Sequence, residues 1–204
     1  MTQDECKNLD ELIATLVKYH PEANVELVEK AYHFAEKAHA GQLRKSGEPY
    51  FVHPLTVAGI LAKLMLDAPT IAAGLLHDTV EDCEGVTVEG LAKEFSDRVA
   101  SLVAQESEDK SKSWYERKSA TIERLRTASY EVKLIGLADK LSNIRGIAMD
   151  YKEIGEEVWK KFRMKDKAII GWYYKVIQEA LKSEFAVMPA YEEYCELVEK
   201  TFGK

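Results

Sequence analysis

An apolar stretch that ends in one imidazole and three carboxylates is the part of the chain best suited to chemistry. Residues 72–82 read Ala-Ala-Gly-Leu-Leu-His-Asp-Thr-Val-Glu-Asp. On a helix, residues four apart share a face, so the spacing predicts His77 above Glu81 and Asp78 above Asp82 in two adjacent columns. Such a group suits a buried divalent metal with a carboxylate pair beside it. For this stretch alone, a solvated acidic face or an ordinary His–Asp hydrogen bond is the alternative.

Two further segments supply groups of the same kind. His53 precedes Pro54, which fits the first position of a helix, so the imidazole is predicted at a loop-to-helix junction where it can face a cavity. Asp139 and Asn143 are four apart in a largely apolar helix, where a carboxylate needs a cation or hydrogen-bond donors. Taken singly, His53 can be a helix cap, and Asp139 can form a salt bridge to Lys or Arg.

Together these segments offer a mixed nitrogen and oxygen ligand set, namely His53, His77, Asp78 and Asp139. The set suits Mn²⁺ or a similar divalent cation better than it suits a thiolate-rich zinc site. A metal of this kind generates hydroxide near neutral pH and neutralises phosphate oxygens. Glu81 and Asp82, one turn further on, are candidates for orienting the water or carrying its proton. The pattern indicates a metal-dependent phosphohydrolase.

Composition limits the partners and the compartment. The formal net charge of -7 disfavours duplex nucleic acid as a partner, although a local basic pocket is compatible with it. Cys6, Cys83 and Cys195 are isolated, which argues against a disulfide framework or zinc ribbon and fits a reducing compartment. The polar N-terminus does not resemble a signal peptide, and no apolar run approaches the ~20 residues of a membrane helix. We therefore expect a cytoplasmic protein without a membrane partner; its oligomeric state is unknown.

Almost every segment has helical period, and strand-like alternation is absent. We predict an all-α fold, a bundle of about ten helices forming a single domain over residues 1–204. The motifs fall within about 25–150, and helices over about 153–204 pack on them. Helix starts are predicted at Asp4, Asn24 and the Ser113–Glu116 capping box. The polar segment from Gln105 to Ser113 is predicted to be a mobile loop that can act as a lid.

Three blocks, in order, resemble the hydrolase domain of the RelA/SpoT family, within the HD-domain superfamily. They are Ala-His-Ala-Gly-Gln-Leu-Arg-Lys-Ser-Gly-Glu-Pro-Tyr-Phe-Val-His-Pro at 38–54, Leu-Leu-His-Asp-Thr-Val-Glu-Asp at 75–82 and Leu-Ala-Asp-Lys-Leu-Ser-Asn-Ile-Arg at 137–145. The chain is similar to the stand-alone small alarmone hydrolases, which include the metazoan SpoT homologue. The resemblance implies an HD-domain fold, which agrees with the all-α bundle predicted from the helical period.

The resemblance implies an activity and a role for each matching residue. The activity is Mn²⁺-dependent removal of the 3′-pyrophosphate from (p)ppGpp, giving GDP or GTP and pyrophosphate. The implied metal ligands are His53, His77, Asp78 and Asp139, and the implied catalytic acidic pair is Glu81 and Asp82. The substrate is a small-molecule nucleotide. The implied nucleotide contacts are Arg44, Lys45 and Asn143, with Ser46, Arg145 and His39 as weaker candidates for lining the site.

Two departures from the long RelA/SpoT enzymes bear on the substrate. The segment after Val103 lacks their Gly-Val-Thr-Lys run, and Ser142 stands where their block has His. Both are predicted at the pocket rim, where they would affect substrate choice rather than the metal site. One alternative is therefore the same metal chemistry on (p)ppApp, NADPH or another phosphorylated nucleotide. Another is a nucleotide-sensing or interaction module without significant turnover, including an antitoxin that neutralises a protein.

Overall fold

Eleven α-helices and one 3-10 helix form within residues 6–203, the part of the chain that this computed structural model describes. In chain order the α-helices are α1 (Leu9–Tyr19), α2 (Val25–Ala38), α3 (Val52–Lys63), α4 (Ala68–Leu76), α5 (Thr79–Asp82), α6 (Val88–Glu94), α7 (Asp97–Glu106), α8 (Trp114–Thr127), α9 (Tyr130–Ile154), α10 (Lys167–Phe185) and α11 (Pro189–Phe202). The 3-10 helix, Gly155–Lys161, follows α9. Between residues 6 and 203 the β pairing is limited to an isolated bridge from Leu43 to Pro49. The prediction of an all-α fold with about ten helices is confirmed.

Polar side chains begin several helices where the sequence predicted them. The Asn24 side chain caps α2, and Ser113 with Glu116 forms the capping box of α8. Asn8 caps α1 through its side-chain oxygen; the predicted cap Asp4 lies outside the described residues. These caps supply hydrogen bonds to backbone amides that have no partner within the helix.

The sequence predicted that one helix runs through residues 72–82, but the structure has two helices there. α4 ends at Leu76 and α5 begins at Thr79, so His77 and Asp78 form the junction. The Thr79 hydroxyl donates to the Leu76 carbonyl at 2.7 Å, and such a side-chain bond competes with continued helix hydrogen bonding. The prediction of one continuous helix is therefore wrong. The Asp82 amide still donates to the Asp78 carbonyl at 2.9 Å, which keeps these two residues one turn apart.

α3 and α9 carry the other predicted ligands. α3 begins at Val52, so His53 lies inside its first turn rather than at its cap, and residues 53–62 of this helix are all buried. α9 packs against α3, α4, α7, α8, α10 and α11, and most of its first half is buried. Asp139 lies in that buried part, so its carboxylate is held inside the bundle by the packing of its own helix.

The two C-terminal helices are joined to α9 by ion pairs as well as by packing. Lys133 forms an ion pair with Glu184 of α10. Arg145 forms a bidentate ion pair with Glu193 of α11, in which Nε donates to Oε1 at 2.7 Å and Nη2 donates to Oε2 at 2.6 Å. Among residues 6–203, no helix combines the length and apolarity that crossing a bilayer requires.

Candidate metal centre and active site

Side chains from α3, the α4–α5 junction and α9 meet at one buried point. His53 Nε2 lies 3.1 Å from Asp139 Oδ1 and 3.6 Å from Asp78 Oδ2, and His77 Nε2 lies 3.2 Å from the same Asp78 oxygen. Ligand atoms of His53, His77 and Asp139 all fall within 4.8 Å of one another. The structure therefore brings together the four side chains that the sequence proposed as metal ligands.

The second nitrogen of each imidazole fixes the orientation of the ring. His77 Nδ1 lies 2.8 Å from the Gly74 carbonyl, to which it must donate, so Nε2 is the ring nitrogen that faces Asp78 and Asp139. That Nε2 atom is buried and has no hydrogen-bond partner. A buried nitrogen of this kind, turned toward two carboxylates, fits a metal ligand whose ring is held by a bond to the backbone.

The site is electrostatically suited to a cation. Burial alone would lower the pKa of His77, but Asp78 and Asp139 outweigh it and raise that pKa to about 9. Burial alone would raise the pKa of Asp78, but the imidazoles of His77 and His53 hold it below the usual range. Burial lowers the pKa of His53 in spite of the nearby Asp139. In spite of burial, Lys140 and the imidazoles likewise hold the pKa of Asp139 well below its usual range. Both carboxylates are thus ionised, and a divalent cation bound between them would displace the proton of His77.

Asp139 also has partners outside the ligand set. Lys140 pairs with its Oδ2 atom, and the Asn143 amide donates to Oδ1 at 2.6 Å. Arg44 in turn donates to the Asn143 side-chain oxygen at 3.1 Å. The salt bridge that the sequence left open as an alternative is therefore present beside the imidazole contacts. It leaves Oδ1 directed toward His53.

The acidic pair lies next to this centre on α5. The Tyr50 hydroxyl donates to Asp78 Oδ2 at 2.7 Å and lies 3.4 Å from Asp82 Oδ2, so one phenol links a proposed ligand to the pair. Burial raises the pKa of the Glu81 carboxyl. A carboxyl with a raised pKa exchanges a proton more readily near neutral pH. Sequence reasoning did not single out Tyr50, although it lies within the block that resembles the family.

The predicted nucleotide contacts are partly assembled. Arg44 and Asn143 meet, as described above, while Lys45 Nζ lies 3.8 Å over the Phe162 ring. Desolvation, and after it the charges of Arg44 and Arg163, lowers the pKa of Lys45. A concentration of positive charge of this kind attracts phosphate. The loop that carries Arg44 and Lys45 turns at Gly47, whose φ of +92° favours glycine.

The weaker candidates have other partners in the structure. Ser46 is exposed and its hydroxyl donates to Glu48 at 3.1 Å. Arg145 binds Glu193 of α11, as described above. His39 is buried, its ring centre lies 4.8 Å from that of Tyr50, and its Nδ1 atom lies 2.8 Å from Gln42 Oε1. Substrate contact by these three residues stays a prediction.

Ser142 lies in a different place from the one predicted. It is buried, and its hydroxyl lies 2.9 Å from His53 Nδ1, the nitrogen that does not face the carboxylates. The expectation that this position lies at the pocket rim is wrong, because α9 turns Ser142 inward behind the imidazole. The departure from the long enzymes therefore concerns the surroundings of His53, a candidate metal ligand.

Comparisons with known proteins identify the family to which the chain belongs. Residues 31–166 match the HD domain family. The chain is 43% identical over 141 residues to a Mycobacterium leprae protein named probable GTP pyrophosphokinase, covering 67% of this chain and 18% of that protein. It is 41% identical over 142 residues to a Vibrio cholerae protein named guanosine-3′,5′-bis(diphosphate) 3′-pyrophosphohydrolase, and the match covers 67% of this chain and 20% of that protein. The chain thus spans about a fifth of the length of the curated relatives it matches.

Two solved structures resemble the fold over most of their length. A crystal structure of lmo0812 from Listeria monocytogenes is 37% identical with a TM-score of 0.69, covering 74% of this chain and 99% of that one. A structure described as a metazoan ortholog of SpoT that hydrolyses ppGpp is 27% identical with a TM-score of 0.73, covering 87% and 97%.

Proposed function

The chain belongs to the HD-domain family, in its RelA/SpoT branch, and from that membership we propose that it hydrolyses the 3′-pyrophosphate of (p)ppGpp to give GDP or GTP and pyrophosphate. Relatives and a structural neighbour named for this reaction support the proposal. The observation that carries it is the buried cluster of two imidazoles and two carboxylates with an acidic pair one turn away.

We further propose that His53, His77, Asp78 and Asp139 hold one divalent cation, with Mn²⁺ as the expected metal. The donor set of two nitrogens and two carboxylates supports this choice over a zinc site built from thiolates. A divalent cation in such a site polarises a phosphoryl oxygen and makes water more acidic. Lys140 and Asn143 would keep Asp139 oriented while it binds the cation.

The acidic pair would handle the protons. A water oxygen attacks the phosphorus next to the ribose 3′-oxygen, the bond between that phosphorus and the 3′-oxygen breaks, and pyrophosphate leaves. Glu81, with its raised pKa, would accept the proton that the water loses, and the acidic pair would pass that proton to the departing 3′-oxygen. Asp82, whose Oδ2 atom lies 3.4 Å from the Tyr50 hydroxyl, would orient the water.

Arg44, Lys45 and Asn143 would bind the nucleotide. A guanidinium can clamp a phosphate or stack on a purine, and an amide can both donate and accept. Since Arg44 and Asn143 are hydrogen-bonded to each other and Asn143 to Asp139, a nucleotide bound there would lie against the metal centre. Turnover of ppGpp compared with that of ppApp would show whether the site prefers guanine or adenine.

The test is turnover by metal-stripped protein, with and without Mn²⁺, on ppGpp, ppApp and NADPH in parallel with identified products. We expect Mn²⁺-dependent release of pyrophosphate from ppGpp. Phosphate release from NADPH alone would retain the metal chemistry and overturn the substrate. Metal binding without turnover of any of the three would overturn the enzymatic proposal in favour of nucleotide sensing.

Matched variants separate metal binding from catalysis. Asp139→Ala should lose bound metal and activity together. Glu81→Gln should keep the metal and lower kcat by roughly 100-fold or more, because this is the usual contribution of a general acid or base. Glu84→Gln, an exposed acidic residue nearby, is the control and should resemble the wild type. Full turnover by Glu81→Gln would contradict the role assigned to Glu81.

A further inference from the structure

The loop over residues 107–113, between α7 and α8, contacts the acidic pair directly. The Glu108 backbone amide donates to Glu81 Oε2 at 3.1 Å. Lys110 Nζ donates to the Glu81 carbonyl at 2.8 Å and to Asp82 Oδ1 at 2.5 Å. The loop therefore binds the side chain and the backbone of one acidic residue and the side chain of the other.

The side chain of Glu108 fixes the beginning of this loop to α8. The Glu108 carboxylate accepts hydrogen bonds from Arg117 at 3.0 Å, Lys118 at 2.8 Å and Thr121 at 3.1 Å, and its side chain is only 10% exposed. Burial alone would raise the pKa of Glu108, but Lys118 outweighs it and lowers that pKa. Because three side chains of α8 hold this carboxylate, the Glu108 amide has a defined direction toward Glu81.

Asp82 is consequently held from two sides. Lys110 lies on Oδ1, and the Tyr50 hydroxyl lies 3.4 Å from Oδ2. A carboxylate with a partner on each oxygen has few rotamers available. This matters for a catalytic group, since misplacement by about 1 Å can cost on the order of 100-fold in rate.

We propose that Lys110 is a positioning residue for the reaction, holding the Asp82 carboxylate and the Glu81 backbone, with Glu108 fixing the 107–113 loop to α8. Two of the three hydrogens on Lys110 Nζ are directed to these acceptors, and the adjacent carboxylates compensate its charge. It is thus less suited to binding substrate phosphate than Lys45 is. The kinetic part of this proposal rests on the proposed function.

Lys110→Ala, Lys110→Arg and the control Lys112→Ala test the proposal kinetically. Lys112 is in the same loop and has the same side-chain exposure, 54%, but pairs with Asp109. We expect Lys110→Ala to lower kcat by roughly 10–100-fold and to change KM by less than about twofold. Lys110→Arg should restore most of kcat, and Lys112→Ala should match the wild type. Exposed ion pairs add little stability, so all three should unfold at nearly the wild-type temperature.

Hydrogen exchange tests the loop contacts without relying on turnover. Amides of residues 107–113 should exchange faster in Lys110→Ala than in wild type or Lys112→Ala. Unchanged exchange, an unchanged kcat, or a raised KM with kcat intact would each overturn the proposal, the last by making Lys110 a substrate contact. A wild-type protein inactive on ppGpp would overturn the proposed function, while the exchange result would still decide whether Lys110 holds the loop.

Discussion

The hydroxyl of Ser142 is hydrogen-bonded to the His53 ring and orients it. At 2.9 Å from His53 Nδ1, it accepts the proton of that nitrogen when Nε2 serves as a ligand. Hydrogen bonds to the outer nitrogen of a metal-binding imidazole fix both its tautomer and its orientation. Ser142 would therefore support the proposed metal centre although it offers no ligand atom to it.

Removing that hydroxyl should weaken metal binding. We expect Ser142→Ala to lower the affinity for Mn²⁺ by about 10–100-fold, the usual cost of losing such a partner. Titration calorimetry or competition with a chelator measures this directly. Ser101→Ala, an exposed serine on α7, is the control and should bind Mn²⁺ as the wild type does. Equal affinities for the two variants would show that Ser142 does not support His53.

The sequence predicted which side chains are candidate metal ligands more readily than it predicted the residues that contact them. His53, His77, Asp78 and Asp139 were recognisable because imidazoles and carboxylates in apolar surroundings have few structural uses. Ser142, Tyr50 and Lys110 were not, since a serine, a tyrosine or a lysine is ordinary in any helix or loop. Their importance arises from partners 28 to 89 residues away in the chain, which no local pattern contains.

Gly136 allows α8 and α9 to approach closely. A Cβ atom at this position would lie 2.5 Å from Leu125 Cδ2, and Leu125 is completely buried, so its side chain has little space to move. Gly146 lies on the same helix, is exposed, and would have nothing within 4 Å of a Cβ atom. The two glycines thus have opposite surroundings in one element.

Alanine at these two positions should have opposite effects on stability. Gly136→Ala should destabilise the fold by about 1–3 kcal/mol through overpacking. Gly146→Ala should stabilise it by up to about 1 kcal/mol because alanine favours the helix more than glycine does. Thermal or urea unfolding measures both. A neutral or stabilising Gly136→Ala would mean that α8 can shift away without cost.

Helix starts and periods were predictable, and the interruption of the motif helix was not. Caps such as Asn24 and Ser113 act through neighbouring amides, so a short window of sequence contains the whole interaction. The break at His77 depends on which acceptor the Thr79 hydroxyl takes. That hydroxyl can serve a continuous helix equally well, and only the folded chain shows its bond to Leu76.

At the scale of the whole molecule, the proposed cation would connect elements far apart in sequence. Its ligands come from α3, the α4–α5 junction and α9, which meet only in the folded state. Binding to the folded chain alone stabilises it by mass action. Metal removal is therefore expected to affect the stability of the bundle as well as its activity.

Saturating metal should raise the melting temperature. At a free Mn²⁺ concentration of about 100 times Kd, the gain of about 2.7 kcal/mol corresponds to roughly 5–10 °C for a chain of this size. Differential scanning calorimetry with Mn²⁺ and with a chelator measures the shift. His53→Ala should abolish it, whereas His33→Ala, an exposed histidine of α2, should retain it. An equal shift in both variants would place the cation elsewhere.

The ion pairs that α9 makes with α10 and α11 restrict rotation of α9 about its own axis. Lys133, Asp139 and Arg145 are six residues apart, and at about 100° per residue they point in three directions roughly 120° from one another. Asp139 faces the imidazoles, while Lys133 and Arg145 are bound by α10 and α11. The helix therefore cannot roll about its axis without breaking two ion pairs as it withdraws the carboxylate. If the chain binds a nucleotide as proposed, its entry and the departure of its products would be accommodated by the loops that border the site.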